Sequence, residues 1–336
     1  MKAVYKSRTP IVSRVDLGKA APLSTPLTLL IEPVSLCNLK CTFCPTGDVN
    51  LTKSTGKFRG FIDFDVYKKI IDDTKAFDSP IKMLHLQKDG EPLLHPRFID
   101  LVDYAKNAGI ERVETTTNGI ALSEELNEQL TQSKLDRLKI SIYGLTTEEY
   151  KLNSGVSIDF QKLVKNIKDL YYKKRNFTMY IKTMEEGLPI GGREKFLEIF
   201  GNICDEIYFE HCVDNWPDFK SDNVVPIMDQ RINILGAKTT PFKKVCPQPF
   251  YNLTVCADGE VTGCCADWAV KLKMGNVNNQ SLLDIWNGQN FLEFRMMMLR
   301  GERSSHPICG NCGYPTFTCV DDMDDDAKDV LSRISI

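Results

Sequence analysis

Three cysteines, Cys37, Cys41 and Cys44, stand within eight positions in the stretch SLCNLKCTFC, directly after the apolar run LTLLIEP. Two thiols can make a disulfide and four can close around one zinc, whereas three leave a coordination corner of a polynuclear cluster open. A second group, Cys246, Cys256, Cys264, Cys265, Cys309, Cys312 and Cys319, occupies the last third of the chain. Cys204 and Cys212 complete the set of twelve, and no cysteine lies between Cys44 and Cys204. This distribution implies two thiolate sites on separate pieces of chain. His85, His95, His211 and His306 show no metal-ligand spacing.

The 336 residues are enough for one large core, or a core plus a smaller module. A net charge of -3 leaves no basic footprint for nucleic acid. The chain shows no leader-like apolar segment and no apolar run near membrane-spanning length, so a cytoplasmic location is expected. In a reducing compartment clustered cysteines ligate metal or do redox chemistry more often than they form disulfides. Short apolar runs near 28–33, 82–87, 112–117, 137–142, 177–183 and 206–210 read as strands. Amphipathic segments near 64–76, 97–108, 123–132, 159–174 and 193–200 read as helices. Strand then helix, about six times over, predicts an α/β fold, a partial (β/α)6 TIM-like barrel. The expected division is an arm lying on the surface (1–26), the barrel (27–225), a cysteine-rich module (226–320) and a solvated acidic tail (321–336). The segment DNWPDFKSDNVVPIMDQ reads as linker, and LTVCADGEVTGCC as a hairpin turning at Asp258-Gly259. SLLDIWNGQNFLEFRMMMLRG reads as mostly helical, with Met296, Met297 and Met298 packing against the module.

In βα barrels functional groups gather at the C-terminal ends of the strands. The 37–44 triplet follows the first strand, KDGEP the second, TTTNG the third, and SIYG ends the fourth. Four such sequences at successive strand ends would face one cavity. The triplet Cys37-x3-Cys41-x2-Cys44, with Phe43 before the last cysteine, resembles the signature of the radical S-adenosylmethionine superfamily. The resemblance implies a [4Fe–4S] cluster whose unique iron binds the methionyl amine and carboxylate of S-adenosylmethionine. One electron then cleaves the sulfonium to methionine and a 5′-deoxyadenosyl radical. It also implies a flavodoxin or ferredoxin-type electron donor. Gly90-Glu91-Pro92 is similar to the family's GGEP stretch at the methionyl amine, with Asp89 in place of the first glycine. By the same resemblance Asn118 and Ser141 contact the ribose or methionyl end, and Lys182 pairs with the methionyl carboxylate. The triplet alone would also suit a zinc site completed from elsewhere.

The later cysteines resemble the SPASM/twitch extensions that follow such barrels. Twelve residues separate Cys246 from Gly259, and four more precede Cys264; Cys309 and Cys312 follow. The full SPASM pattern is broken, since six residues separate Cys312 from Cys319 and no cysteine follows. Two fully ligated [4Fe–4S] clusters would need eight thiolates, and seven cysteines lie in this region. One auxiliary cluster held by Cys246, Cys264, Cys309 and Cys312 is the simpler reading, with Cys256, Cys265 and Cys319 as substitutes. A four-cysteine zinc knuckle is the alternative.

A single auxiliary cluster resembles that of the twitch-type aminocyclitol dehydrogenases. This resemblance implies oxidation of a secondary alcohol of a carbohydrate or aminocyclitol-type small molecule to a ketone, the auxiliary cluster accepting an electron. Asp267 and Asp214 are the candidate bases for the hydroxyl proton. A short-peptide substrate is the main rival; against it stand the shortage of auxiliary ligands and the 36 residues before Cys37. Radical epimerisation is another, with Cys212 or Cys265 as hydrogen donor. An iron–sulfur electron carrier without catalysis is a reading of a different class, and it needs no open iron.

Overall fold

The computed structural model describes residues 1–8, 14–219, 232–239 and 242–334. Ten strands form one sheet: β1 (Val4–Tyr5), β2 (Thr28–Ile31), β3 (Met83–Leu86), β4 (Arg112–Thr117), β5 (Arg137–Ile142), β6 (Thr178–Met184), β7 (Glu206–Glu210), β8 (Asn252–Val255), β9 (Glu260–Thr262) and β10 (Lys273–Asn276). Their order is β1-β7-β6-β5-β4-β3-β2-β8-β9-β10. Strands β2 to β7 are parallel neighbours in sequence order, the arrangement that repeated strand–helix units produce. The chain is therefore a partial TIM-like barrel extended at one edge by the cysteine-rich module.

The two faces of the barrel sheet differ in chemistry. Leu29, Leu84, Val113, Leu138, Ile140, Ile181 and Ile207 have no exposed surface and point toward the helices. Period-two alternation sends the intervening residues to the other face. There lie His85, Glu114, Arg137, Lys139, Tyr180, Lys182, Glu206 and Glu210, so the lumen is ionic. Charges in it are paired: Lys139 Nζ is 3.0 Å from Glu114 Oε2, Lys182 Nζ is 2.5 Å from Glu210 Oε2, and Arg137 pairs with Glu206.

Helices cover the outer face at Phe64–Asp73, Phe98–Asn107, Glu124–Gln132, Phe160–Lys173 and Gly192–Phe200. Asp63, Ser123 and Asp159 cap three of them by accepting backbone N–H bonds in the first turn. The first helix turns to a 3-10 turn at Thr74–Ala76, earlier than the amphipathic pattern suggests. Two short helices, Val49–Ser54 and Thr147–Ser154, lie where no periodicity marks them. Among the described residues no helix is long and apolar enough to cross a membrane.

Both chain ends are tied more closely to the fold than expected. The N-terminal arm is exposed along much of its described length yet anchored: β1 pairs in parallel with β7, and Ala3, Leu17 and Ala21 are buried. Trp286 Nε1 donates to the Leu23 carbonyl, tying the arm to the C-terminal module. The acidic tail is likewise anchored. Met323 and Val330 are fully buried, Asp324 accepts from the Lys244 and Val245 N–H groups, and Asp321 pairs with Arg14. Ala327–Ile334 is a helix. Charge density at 321–326 suggested a solvated end, but these carboxylates cap backbone and side-chain donors. The division placed at residue 225, and much of the linker before it, lie outside the described residues.

The module opens with β8, which runs parallel to β2 and continues the barrel sheet. β8 and β9 form the expected hairpin, with Gly259 at φ +86° in its turn. Leu282–Trp286 and Gln289–Leu299 are helical, with Met298 buried and Met297 packed against the core.

Glu114 provides a test of the ionic lumen. Burial opposes its charge, but Lys139, His85 and Arg112 hold its carboxyl down to about 2. The unfolded carboxyl titrates near 4.5, so this contribution is complete above that pH and disappears as pH falls toward 2. Denaturant unfolding of the wild type should therefore lose stability across that window more steeply than Glu114→Gln; parallel pH profiles would contradict the assignment.

Candidate active site

The cysteine triplet occupies a loop held on three sides. The Glu91 N–H donates to the Leu36 carbonyl at 2.8 Å, and the Lys40 N–H donates to the Ser154 carbonyl at 2.8 Å. At Gly90 a Cβ would collide with the carbonyls of Val34 and Leu36, which accounts for glycine beside the loop. Cys41 is buried, while Cys37 and Cys44 are half-buried. Burial, with the neighbouring Glu91 and Cys44, pushes the Cys37 thiol up to about 11. Burial and then the two other thiols push Cys41 upward as well. Three thiols gathered in one largely buried loop suit a cationic partner, and the buried, unpartnered Thr42 hydroxyl lies in the same loop. The residues present fit an iron–sulfur cluster.

The strand-end residues converge on this loop. Glu91 is buried; Oε1 accepts from the Leu93 N–H at 3.0 Å and the Thr117 hydroxyl at 2.6 Å, and Oε2 accepts from the Asn118 N–H at 2.8 Å. Asn118 Nδ2 donates to Asn38 Oδ1 at 2.6 Å and lies 4.0 Å from Cys37 Sγ. Phe43 faces Tyr143 with ring centroids 5.8 Å apart, and Ser141 hydrogen-bonds Tyr143. Pro92 opens the short 3-10 turn after Glu91. Phe43, Gly90, Glu91, Pro92, Asn118 and Ser141 thus surround one side of the triplet. Lys182 stands beside Ser141 in the β5–β6 register, with its ammonium on Glu210.

Asp89, which stands where the related stretch has glycine, is the centre of a buried ionic chain. Its carboxylate pairs with both Lys57 and Lys88, and Lys57 Nζ reaches Glu32 Oε1 at 3.0 Å. All four side chains are at most 6% exposed. Burial works against the Asp89 charge, yet Lys57 and Lys88 hold its carboxyl below the usual range. The chain touches both cysteine regions. The Asp89 carbonyl accepts from the Thr46 hydroxyl, which lies 3.3 Å from Cys44 Sγ. Lys88 Nζ donates to the Asp267 carbonyl at 3.1 Å, and Glu32 Oε2 accepts from the Ala257 N–H at 3.2 Å.

In the module, Cys246, Cys264, Cys309 and Cys312 line a single cavity with Pro217, Leu272, Phe294, Met298 and Arg303 among its other walls. Among the described residues no three His, Cys, Asp or Glu groups are placed to hold one metal ion, so these thiols surround a space. Burial first, and then Cys246, push the Cys312 thiol up to about 12. Four thiols around a largely apolar cavity fit a cluster. Two of the other cysteines adjoin this set, Cys319 against Cys246 and Cys265 against Cys264. Cys265 Sγ lies 3.3 Å from Tyr314 Oη and 3.5 Å from Gln248 Oε1. Gln248 Nε2 lies 3.8 Å from Cys319 Sγ, and the strongest charges around Cys256 are Lys88, Glu32 and Lys57.

Arg303, unremarked in the sequence, braces this site. It is 1% exposed, and its guanidinium donates to the carbonyls of Cys309, Cys312 and Lys243. Two tryptophans tie the sites together. Trp216 Nε1 donates to the Phe43 carbonyl at 3.2 Å, and Trp268 Nε1 to the Pro217 carbonyl at 2.8 Å. No spacing rule marks such partners, because each bonds to backbone far away in sequence.

Of the candidate bases, Asp267 is a correction. Its Oδ2 accepts from the Thr262 hydroxyl at 2.7 Å and the Leu272 N–H at 2.8 Å, and its Oδ1 from the Lys271 N–H at 3.1 Å. A 1% exposed carboxylate occupied in this way shapes the loop and is not presented to a substrate. Asp214 is half-buried, and its carbonyl packs against Gly313. Cys212 is half-buried, and its N–H donates to Glu186 Oε2; burial, Glu186 and Asp214 push its thiol up to about 11.

Residues 31–186 match the Radical SAM superfamily, and residues 246–313 match the SPASM iron-sulfur cluster-binding domain. A tungsten-containing aldehyde ferredoxin oxidoreductase cofactor-modifying protein of Pyrococcus furiosus is 25% identical over 320 residues, covering 84% of this chain and 86% of that protein. An S-adenosyl-L-methionine-dependent 2-deoxy-scyllo-inosamine dehydrogenase of Niallia circulans is 26% identical, covering 62% and 86%. The crystal structure of Streptococcus suis SuiB bound to S-adenosylmethionine shares the fold at a TM-score of 0.62 and 18% identity, covering 90% of this chain and 74% of that one. Such domains take a [4Fe–4S] cluster with S-adenosylmethionine and auxiliary iron–sulfur, respectively. With its cysteine triplet at the first strand end and its thiol-lined module beyond the barrel, the chain carries a Radical SAM superfamily domain over residues 31–186 and a SPASM iron-sulfur cluster-binding domain over residues 246–313.

Proposed function

We propose that this enzyme oxidises a secondary alcohol of a carbohydrate or aminocyclitol-type small molecule to a ketone. The observation that carries the reading is the single cavity lined by Cys246, Cys264, Cys309 and Cys312, with Cys256, Cys265 and Cys319 outside its lining. One auxiliary cluster then faces one initiating cluster held by Cys37, Cys41 and Cys44. When bound, S-adenosylmethionine on the first cluster supplies a 5′-deoxyadenosyl radical for hydrogen abstraction, and the auxiliary cluster supplies an acceptor for the remaining electron. The likeness to the dehydrogenase of Niallia circulans supports the reaction class.

The chain's own residues position and insulate this chemistry. Phe43, Gly90, Glu91, Pro92, Asn118 and Ser141 shape the cofactor side of the cavity. Glu91 does so by locking the ends of β3 and β4 through three accepted hydrogen bonds. Asp214 is the base left for the hydroxyl proton once Asp267 is set aside. A flavodoxin or ferredoxin-type donor would supply the first electron. Epimerisation is the second reading, with the half-buried Cys212 or Cys265 as hydrogen donor.

Two experiments test these assignments. An anaerobically reconstituted Cys37/Cys41/Cys44 triple-alanine variant should retain about four irons, and Arg303→Met about four of the other set. Loss of all iron from either variant, with the fold intact by circular dichroism, would refute two independent sites. In the second, a carbohydrate deuterated at each carbinol carbon is incubated with reductant and S-adenosylmethionine. Deuterium should appear in 5′-deoxyadenosine, with one ketone formed per cofactor cleaved; recovered alcohol carrying a solvent-derived hydrogen would instead establish epimerisation.

A further inference from the structure

Beside the auxiliary site the lumen gathers two cations on one buried carboxylate. Arg8, carried in by the N-terminal arm, places Nε 3.2 Å from Glu210 Oε1, and Lys182 takes Oε2 of the same carboxylate at 2.5 Å. Two cations thus share one acid. Glu114 and Glu206 are also doubly engaged, by Lys139 with Arg112 and by Arg137 with Lys6, but there the second cation is exposed, Arg112 keeping 43% and Lys6 54% of its side-chain surface. Among the described residues, the groups acting on Arg8 are Glu210, Tyr314, Tyr180 and Cys265, so the guanidinium stands between barrel and module. Burial and then repulsion from Arg8 lower the Lys182 ammonium, while Glu210 sustains it. Beside them the Tyr180 hydroxyl is fully buried and has no hydrogen-bond partner. Glu210 is 4% exposed, whereas Lys182 and Arg8 keep 17% and 28% of their side-chain surface, so an incoming group meets the cations first.

We propose that Arg8 and Lys182 form a recognition site for an acidic group, a carboxylate or phosphate carried by the small molecule whose alcohol is oxidised. The Tyr180 hydroxyl is the neutral donor that completes the site. This rests on the reading of the space between the two cysteine sites as the substrate cavity, and it narrows the proposed class to acidic carbohydrates and cyclitols, setting aside members that carry only an amine. Two cations on one carboxylate repel each other, and an anionic ligand offsets that repulsion while gaining charge-assisted hydrogen bonds from the guanidinium fork and the ammonium. An ammonium-bearing ligand would meet two like charges instead.

The methionyl carboxylate of the cofactor is the other source of such an anion, and the test separates the two. The probe is inorganic phosphate, titrated calorimetrically into the full, anaerobically reconstituted chain saturated with S-adenosylmethionine. Saturable binding at one site is expected, at least tenfold weaker in Arg8→Gln and in Lys182→Met, with cofactor affinity changed less than twofold. Glu210→Gln, which frees both cations, should tighten phosphate about fivefold and guards against variants that merely fold poorly. Absence of saturable phosphate binding, equal binding in the first two variants, or no tightening in the third overturns the proposal. A tenfold loss of cofactor affinity in both cation variants also overturns it, by assigning the charge to the methionyl carboxylate. The formation of 5′-deoxyadenosine is measured alongside: if it persists while phosphate fails to bind, only the acidic-group inference falls, and if it is absent the radical-enzyme reading falls with it.

Discussion

Four buried charges in alternating order, Glu32, Lys57, Asp89 and Lys88, join what the sequence keeps far apart. They lie on three pieces of the architecture: Glu32 at the end of β2, Lys57 in the loop before the first long helix, and Lys88 and Asp89 in the turn after β3. Their outer contacts reach Ala257 and Asp267 of the module on one side and Thr46 of the cysteine loop on the other. An apolar contact of this size would be at least as stable, since burying ions costs much of what their attraction returns. What ions and their hydrogen bonds add is direction. Removing one partner leaves an uncompensated buried charge at a cost of ~3–5 kcal/mol, so the four hold one arrangement or none.

That constraint gives the two cysteine sites a fixed relation. The barrel alone offers strand ends facing a cavity, and the module alone offers a thiol-lined space. The sheet makes them one body, because β8 pairs with β2 along its whole length and carries the hairpin of the module on the barrel's own edge. Trp216 then bonds the carbonyl of Phe43, inside the triplet, from the segment whose Pro217 is held by Trp268. Electron transfer between a substrate and a second cluster needs a short, constant gap. Sheet continuity, the ionic chain and the two indole bonds each oppose its widening.

Much of this architecture was legible because its signals are local. Strand periodicity and helix amphipathicity act within ten residues, so all six barrel strands fall within two or three residues of their expected limits. Cysteine spacing and the Gly90-Glu91-Pro92 turn are local as well. What escaped depends on distant partners. The two-residue β1 has no pattern of its own and exists only because β7 offers a free edge. The acidic tail reads as solvated until Asp324 finds the N–H groups of Lys244 and Val245. Arg303 is unremarkable in GERSS, and its importance comes from three carbonyls that the fold gathers around it. Asp267 misled in the opposite sense. Its place after Cys264 suggested a base, but Thr262, Lys271 and Leu272 occupy its oxygens.

The ionic lumen gives the N-terminal arm its significance. A closed eight-stranded barrel fills its interior with packed side chains, whereas this open sheet leaves an edge beyond β7 that the arm covers. In covering it the arm delivers Arg8 to Glu210, beside Tyr180 of the barrel and Tyr314 of the module. The element that seals the barrel edge therefore also sets the charge of the space between the cysteine sites. Substrate preference can then change through a residue outside both matched domains while the cysteine loops and the strands that carry them stay as they are. Similarity over the barrel and the SPASM domain reports the chemistry the two sites share, and it leaves out the lumen charge to which Arg8 contributes.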